Sequence, residues 1–330
     1  MTGFFSSAQV DQFRDQGYLH VENVLDPIED LDPIIAEYDS VLDRLAAELL
    51  SDGLISSLYE DLPFGKRLSK IYQESGKVHS QYFDFSLPQK GIMADTPMWT
   101  GPAVFNALTN TKLLDVAASL IGTEIYSNPV QHVRIKPPES LVPVDPIAGQ
   151  LMLGATQTHQ DNGVVSEDAD STDMLTIWFS LLDAPEESGC LRVEPKSHRQ
   201  GLLPHCVVGT AKNKIGGIAI PDDYYDEESM VPIPTKRGDI LLLTPRTVHD
   251  SLPNVSDDIR WSFDLRYNPI GQPTGRGSFP GFVARSEADL ASELHDPEIW
   301  SQMWAEARAS LAEEPDPSYN RWNLDEPACA

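Results

Sequence analysis

The stretch THQDNGV, residues 158–164, sets an imidazole and a carboxylate two positions apart. In an extended strand, residues i and i+2 project from the same face, so His159 and Asp161 are predicted to point at one spot. That donor pair suits a borderline divalent metal, but it supplies only two ligands, and His-x-Asp is common by chance. The best third donor lies in TPRTVHDSLPN, where His249 follows the apolar run ILLL and a turn-like Pro-Arg-Thr. Two histidines and one carboxylate form a facial set that leaves half an octahedron open. Non-haem iron(II) oxygenases use this arrangement to admit a chelating co-substrate and dioxygen. A structural zinc site would close its fourth position with another His or Cys, and no such ligand suggests itself.

Arg260 opens the run RWSFDLRY, eleven residues after His249. An isolated arginine is most simply a surface ion pair. Its guanidinium is also a two-pronged donor for a carboxylate. On a strand neighbouring that of His249, it would anchor the far carboxylate of 2-oxoglutarate while the keto-acid end chelates iron(II). Ser251 shares the face of His249 and is expected to donate to the same carboxylate.

The elements that must position these residues follow from periodicity. Residues 1–120 read as helical decoration, beginning with Ser7 as a cap for AQVDQFRDQ, which ends at Gly17. A short strand, YLHVENV, follows. Ile34, Ile35, Tyr38, Val41, Leu42, Leu45 and Leu49 recur at the spacing of a long amphipathic helix. From about Tyr126 short β-rich runs take over: NPVQHVRIKPP, MLTIWFSLLDA, CLRVEP, GDILLLTP and RWSFDLRYNP. Many strands without intervening helices predict an antiparallel sandwich or barrel over about 125–270. Segments 138–156 and 206–236 are too long for tight hairpins and are expected to overhang one mouth. Helix returns in 280–315, with Ser286 as the expected cap of EADLASELHD. No linker stands out, so residues 1–330 are read as one domain.

The chain has 51 acidic and 24 basic residues, a formal net charge of -27. That excess opposes any groove built to neutralise phosphates, which makes nucleic acid and anionic membrane poor partners. No apolar run approaches membrane-spanning length, and the opening residues lack a secretory pattern. Cys190, Cys206 and Cys329 are an odd set without motif spacing, so no disulfide is expected and a reducing compartment fits best. The expectation is a soluble cytoplasmic protein. Its oligomeric state is not legible.

The segments VDQFRDQGYLHVENVLDP, RIKPP, THQD, IWFSLLDAPEESGCLRVEPKSHRQGLLPH, VHDSLPN and RWSFDLRYNP together extend the pattern over most of residues 8–270. On these segments the chain resembles the phytanoyl-CoA dioxygenase family of iron(II)- and 2-oxoglutarate-dependent oxygenases. The resemblance implies a double-stranded β-helix, or jelly roll, with flanking helices. It also implies His159, Asp161 and His249 as iron ligands and Arg260 and Ser251 as 2-oxoglutarate contacts. Trp178 matches a tryptophan near the co-substrate, with core packing as the competing reading. Gln131 is a candidate to approach the keto-acid, although its alternation with His132 leaves open which of the two points inward. His198 and His205 are expected to make structural hydrogen bonds. Relatives that halogenate replace the carboxylate ligand with a small residue, so Asp161 favours hydroxylation or another oxidation.

The reaction implied consumes 2-oxoglutarate and dioxygen, releases succinate and carbon dioxide, and oxidises a C–H bond. An acidic chain without a basic cluster offers no cradle for a CoA thioester, so a small organic substrate is expected. Arg134 and Arg266 are candidates to read a substrate carboxylate, against surface pairing or a role behind the ligands. The segment from Lys77 to Trp99 is a candidate lid. A cupin-like isomerase or hydrolase would explain the triad but not Arg260, and a binding protein without turnover is made less economical by the intact triad.

Overall fold

The computed structural model describes residues 4–208, 217–314, 321, 322 and 329. Helix α1 (Ser7–Gln16) is capped by Ser6, not Ser7. The Ser6 hydroxyl accepts from the Gln9 amide, and the Gln9 side chain accepts from the Ser6 amide. That reciprocal pair is a capping box, which outcompetes a lone serine one position later. Gly17 ends the helix at φ 82°, where a side chain would be strained.

Strand β1 (Tyr18–Val21) is followed by the amphipathic helix α2 (Asp32–Ser51), which buries every apolar residue of the expected face except half-buried Ile35. Helices α3 (Phe64–Ser75), α4 (Ser80–Phe83), α5 (Pro102–Leu108) and α6 (Thr111–Ile121) complete the N-terminal layer. The strands are β2 (Ile125–Lys136), β3 (Leu175–Ser180), β4 (Leu191–Val193), β5 (Cys206–Val208), β6 (Gly217–Ala219), β7 (Val231–Ile233), β8 (Ile240–Leu243), β9 (His249–Ser251), β10 (Arg260–Pro269) and β11 (Phe282–Arg285).

A six-stranded sheet runs β1-β8-β3-β10-β2-β11, a three-stranded sheet runs β7-β4-β9, and β5 pairs with β6; every pairing is antiparallel. The jelly-roll core is therefore present, extended by β1 at one edge and β11 at the other. Alternation divides its residues. Leu175, Ile177, Phe179, Ile240, Leu242, Trp261, Phe263 and Leu265 join the core shared with the helices. Trp178, Leu241 and Leu243 turn the other way and meet Leu191, Val193 and Ile233 of the small sheet. One face of the large sheet thus packs on helix, and the other faces the second sheet and the site.

Three expectations are corrected. Phe83, Phe85 and Leu87 are buried in the helix-side core, and Phe85 stacks on Phe263 at 5.4 Å, so this part of the Lys77–Trp99 segment is core packing rather than lid. Its aromatics make the segment too apolar to stand free when β10 offers a matching surface. Ser286 does not start a helix: its hydroxyl donates to Glu124 and accepts from the Asp289 amide, which uses the cap pattern as a local turn. The last helix, α7 (Pro297–Glu313), starts after Asp296, with proline in its first turn. Finally, Cys206 and Cys329 form a disulfide across 123 residues. Pairing between positions so far apart in the chain leaves no spacing signature, and the cysteine argument for a reducing compartment falls with it. Among the described residues, no helix is long and apolar enough to cross a membrane.

Candidate metal centre

His159 and His249 exchange both backbone hydrogen bonds of an isolated antiparallel bridge, each at 3.0 Å, which sets their rings side by side with centroids 4.2 Å apart. Gln160 is extended, so the expected i, i+2 relation holds, but Asp161 opens a 3-10 turn (Asp161–Val164) instead of continuing a strand. The Asp161 carboxylate reaches the histidines nonetheless: its Oδ1 lies 3.8 Å from His159 Nε2 and 3.9 Å from His249 Nε2. Ligands ~2.1 Å from one ion and at right angles would sit ~3 Å apart, so a modest contraction closes this set on a metal.

Both rings are oriented for ligation. His159 Nδ1 lies 2.7 Å from the Gln157 carbonyl and His249 Nδ1 lies 2.9 Å from the Thr247 carbonyl. A proton on each Nδ1 satisfies those carbonyls and leaves each Nε2 a lone pair aimed inward. Burial, then the neighbouring His249, holds His159 well below its ordinary pKa, which keeps it neutral. Burial alone would raise Asp161, but the Arg266 guanidinium beside it opposes this, and the carboxyl lies well below the usual carboxylate range. Gln160 faces away, donating to the Gly201 and Arg246 carbonyls and accepting from the Leu203 amide. It ties the ligand loop to its neighbours.

The remaining expected residues are placed as follows. β9 belongs to the small sheet and β10 to the large one, so His249 and Arg260 face each other across the sandwich instead of lying on adjacent strands. The link between them crosses from sheet to sheet. Arg260 is 1 % exposed, its Nη1 donates to Ser262 at 2.7 Å, and its Nε and Nη2 have no hydrogen-bond partner among the described residues. Trp178 lies beneath it, ring centroid 5.8 Å from the guanidinium carbon. Both line a cavity with His159, His249, Arg134 and Asp264. Ser251 Oγ accepts from the Thr156 amide at 2.8 Å and from Lys136 Nζ at 3.1 Å, leaving its own proton to donate.

Register pairs His132 with Asp264, Arg134 with Ser262 and Lys136 with Arg260. His132 therefore shares the face of Arg134 and Lys136. Gln131 falls where the ladder is irregular, buried with its Oε1 unpartnered, and does not line the cavity. Arg266 is placed behind the metal ligands: its Nη2 donates to Asp161 at 2.5 Å and its Nη1 to the Val130 carbonyl. Its guanidinium is committed there and is not offered to a substrate.

Two residues at this site escaped the sequence. Thr176 donates to Asp161 Oδ2. Lys136 is buried opposite Arg260, and among the described residues its ammonium has hydroxyl partners only, Thr156 and Ser251. Burial, then the charges of Arg260 and Arg134, holds its pKa well below that of an ordinary lysine. The available signal was its i, i+2 relation to Arg134 in the segment RIKPP.

His205 is structural, as expected, and lies directly under the ligand loop. Its Nε2 accepts from the Gln160 amide at 2.9 Å, its Nδ1 lies 2.8 Å from the Leu203 carbonyl, and it stacks on Trp322. A Cβ at Gly163 would enter this held ring. Gly163→Ala is expected to cost about 1–3 kcal/mol in chemical denaturation and to weaken Mn(II) binding through displacement of Asp161.

The family model described as Phytanoyl-CoA dioxygenase (PhyH) matches residues 13–262. The phytanoyl-CoA dioxygenase domain-containing protein 1 homolog of Dictyostelium discoideum is 25% identical over 268 residues, covering 78% of this chain and 89% of that protein. The 1-deoxypentalenic acid 11-beta-hydroxylase of Streptomyces arenae is 29% identical over 126 residues, 36% of this chain and 43% of its own. In fold, the chain is similar to the non-heme monooxygenase ThoJ, at TM-score 0.57 and 18% identity, covering 93% of this chain and 99% of that one. With a two-histidine, one-carboxylate centre on a jelly roll and a family match over more than half of its length, the chain belongs to the phytanoyl-CoA dioxygenase family.

Proposed function

We propose that this protein is an iron(II)- and 2-oxoglutarate-dependent dioxygenase that hydroxylates, or otherwise oxidises, a C–H bond of a small organic molecule. One observation carries this reading beyond the triad: Arg260 and Lys136 are basic side chains buried opposite each other, and among the described residues no carboxylate hydrogen-bonds either, in a chain of net charge -27. Buried charge without a counter-charge is costly, and a dianionic co-substrate supplies the missing partner.

His159, Asp161 and His249 would hold the iron. Arg260, Lys136 and the Ser251 hydroxyl would grip the far carboxylate of 2-oxoglutarate, and Trp178 would wall its methylene chain. When bound, iron and 2-oxoglutarate supply the activation of dioxygen. The protein supplies orientation, a pocket between two sheets, and two imidazoles whose Nε2 atoms face the metal position. Arg134 stands in the cavity with a half-buried guanidinium whose one ion pair, to Asp264, is long at 3.7 Å. Arg134 would meet an acidic substrate; the 1-deoxypentalenic acid 11-beta-hydroxylase of Streptomyces arenae, by its name, acts on an acid, which supports this reading.

Anaerobic addition of iron(II) and 2-oxoglutarate is expected to produce a weak visible charge-transfer band, and a panel of small organic acids scored by succinate release is expected to find the substrate. Metal binding with neither band nor succinate would sink the oxygenase reading in favour of a metal-dependent isomerase or hydrolase.

A further inference from the structure

Asp161 is fully buried, and its two oxygens are treated differently. Oδ1, the oxygen that faces both imidazole Nε2 atoms, accepts from Arg266 Nη2 at 2.5 Å. Oδ2 accepts from the Thr176 hydroxyl on β3. The arginine is itself held. Between the pairs Asp264 with His132 and Arg266 with Asn128, the β10/β2 ladder loses register, with more residues on β2 than on β10. Pro129 lies in that irregular stretch and has no amide to contribute, a usual place for proline in a sheet. The Val130 carbonyl is freed there and accepts Arg266 Nη1, while Asp264 lies 3.2 Å from Nη2.

A free carboxylate can chelate a metal through both oxygens. Chelation here would occupy one of the three positions that a keto-acid and dioxygen need. With Oδ2 tied to Thr176 and Oδ1 pinned by Arg266, rotation into chelation requires breaking two buried hydrogen bonds, one of them charged. Arg266 also offsets the carboxylate's charge, so a divalent ion in the triad keeps its full attraction for a dianion.

We infer that Arg266 and Thr176 are positioning residues that hold Asp161 as a single-oxygen ligand and thereby keep the third coordination position open. The inference rests on the metal centre read above. Its test compares wild type with Thr176→Val, Thr176→Ser and Arg266→Lys in two measurements: Mn(II) affinity by electron paramagnetic resonance, and the 2-oxoglutarate band at saturating iron(II). Loss of outer contacts to a ligand typically weakens metal binding ~10–100-fold. Thr176→Val is expected at the low end of that range and Arg266→Lys higher. At full iron occupancy the band should fall by more than half in Thr176→Val and return in Thr176→Ser. The two threonine variants decide the outcome if Arg266→Lys does not fold. Weaker Mn(II) binding with an undiminished band would mean that these contacts only support the carboxylate, and the inference fails. Wild-type affinity and band in Thr176→Val would also overturn it. A wild type that binds Mn(II) but shows no band refutes the co-substrate instead, and in that case an unchanged Mn(II) affinity in Thr176→Val still refutes the inference.

Discussion

Arg260→Met is expected to raise the concentration of 2-oxoglutarate needed for half-maximal succinate release by roughly 30-fold to several-thousandfold. Truncating one partner of a buried, hydrogen-bonded charge pair costs ~2–5 kcal/mol, and each 1.4 kcal/mol is about tenfold in affinity. Lys136 remains and retains part of the grip, so binding weakens without vanishing. Mn(II) affinity should stay within about threefold, because Arg260 hydrogen-bonds Ser262 and none of the three ligands. Stability moves in the opposite direction. Arg260 is 1 % exposed, and burial, then the charge of Arg134, lowers its pKa, so the protein without co-substrate carries an uncompensated cation. A methionine of similar volume removes that cost, and the co-substrate-free protein is expected to gain about 1–4 kcal/mol in urea unfolding. A variant that loses 2-oxoglutarate affinity and stability together would point to a structural role for Arg260.

His249→Ala is expected to weaken metal binding by more than ~100-fold, beyond the usual loss from an outer contact alone, and to reduce succinate release to background. The backbone bridge to His159 uses main-chain atoms only, so the fold should survive with the cost of a small cavity. Asp161→Ala makes the informative contrast. It removes a ligand of the same centre but strands Arg266, whose pKa burial would lower and whose two carboxylate neighbours, Asp161 and Asp264, hold raised. Breaking a buried pair from one side costs about 3–5 kcal/mol. Both variants should lose metal, and only Asp161→Ala should unfold at markedly lower urea. Equal stability of the two would contradict the assignment of Arg266 to Asp161.

Residue chemistry made the triad legible. Few side chains ligate a divalent ion, and the extended Gln160 between His159 and Asp161 preserves the i, i+2 relation even though Asp161 already belongs to a turn. Arg260 was singled out because a guanidinium beside an open metal site would have a specific use, although it reaches the cavity from the opposite sheet and not from the neighbouring strand expected. Lys136 and Thr176 were not, since a lysine and a threonine on strands look ordinary until a second element meets them. Arg266 was visible as a residue with two readings open, a substrate contact or a role behind the ligands, and only the tertiary structure sets it against Asp161, beside the irregular β10/β2 ladder. Ser286 shows the converse, a good cap pattern captured by Glu124 from elsewhere in the chain.

By itself, the sequence determined the class of chemistry, the strand-rich core and the amphipathic α2, because donor type and hydrophobic period are local properties. The tertiary structure alone decided which sheet carries each ligand, that His249 faces Arg260 across the sandwich, that Phe83, Phe85 and Leu87 of the Lys77–Trp99 segment are core packing, and that Cys206 pairs with Cys329. These depend on contacts between residues far apart in the chain, where strand register and sheet crossing set the geometry and no local spacing records it.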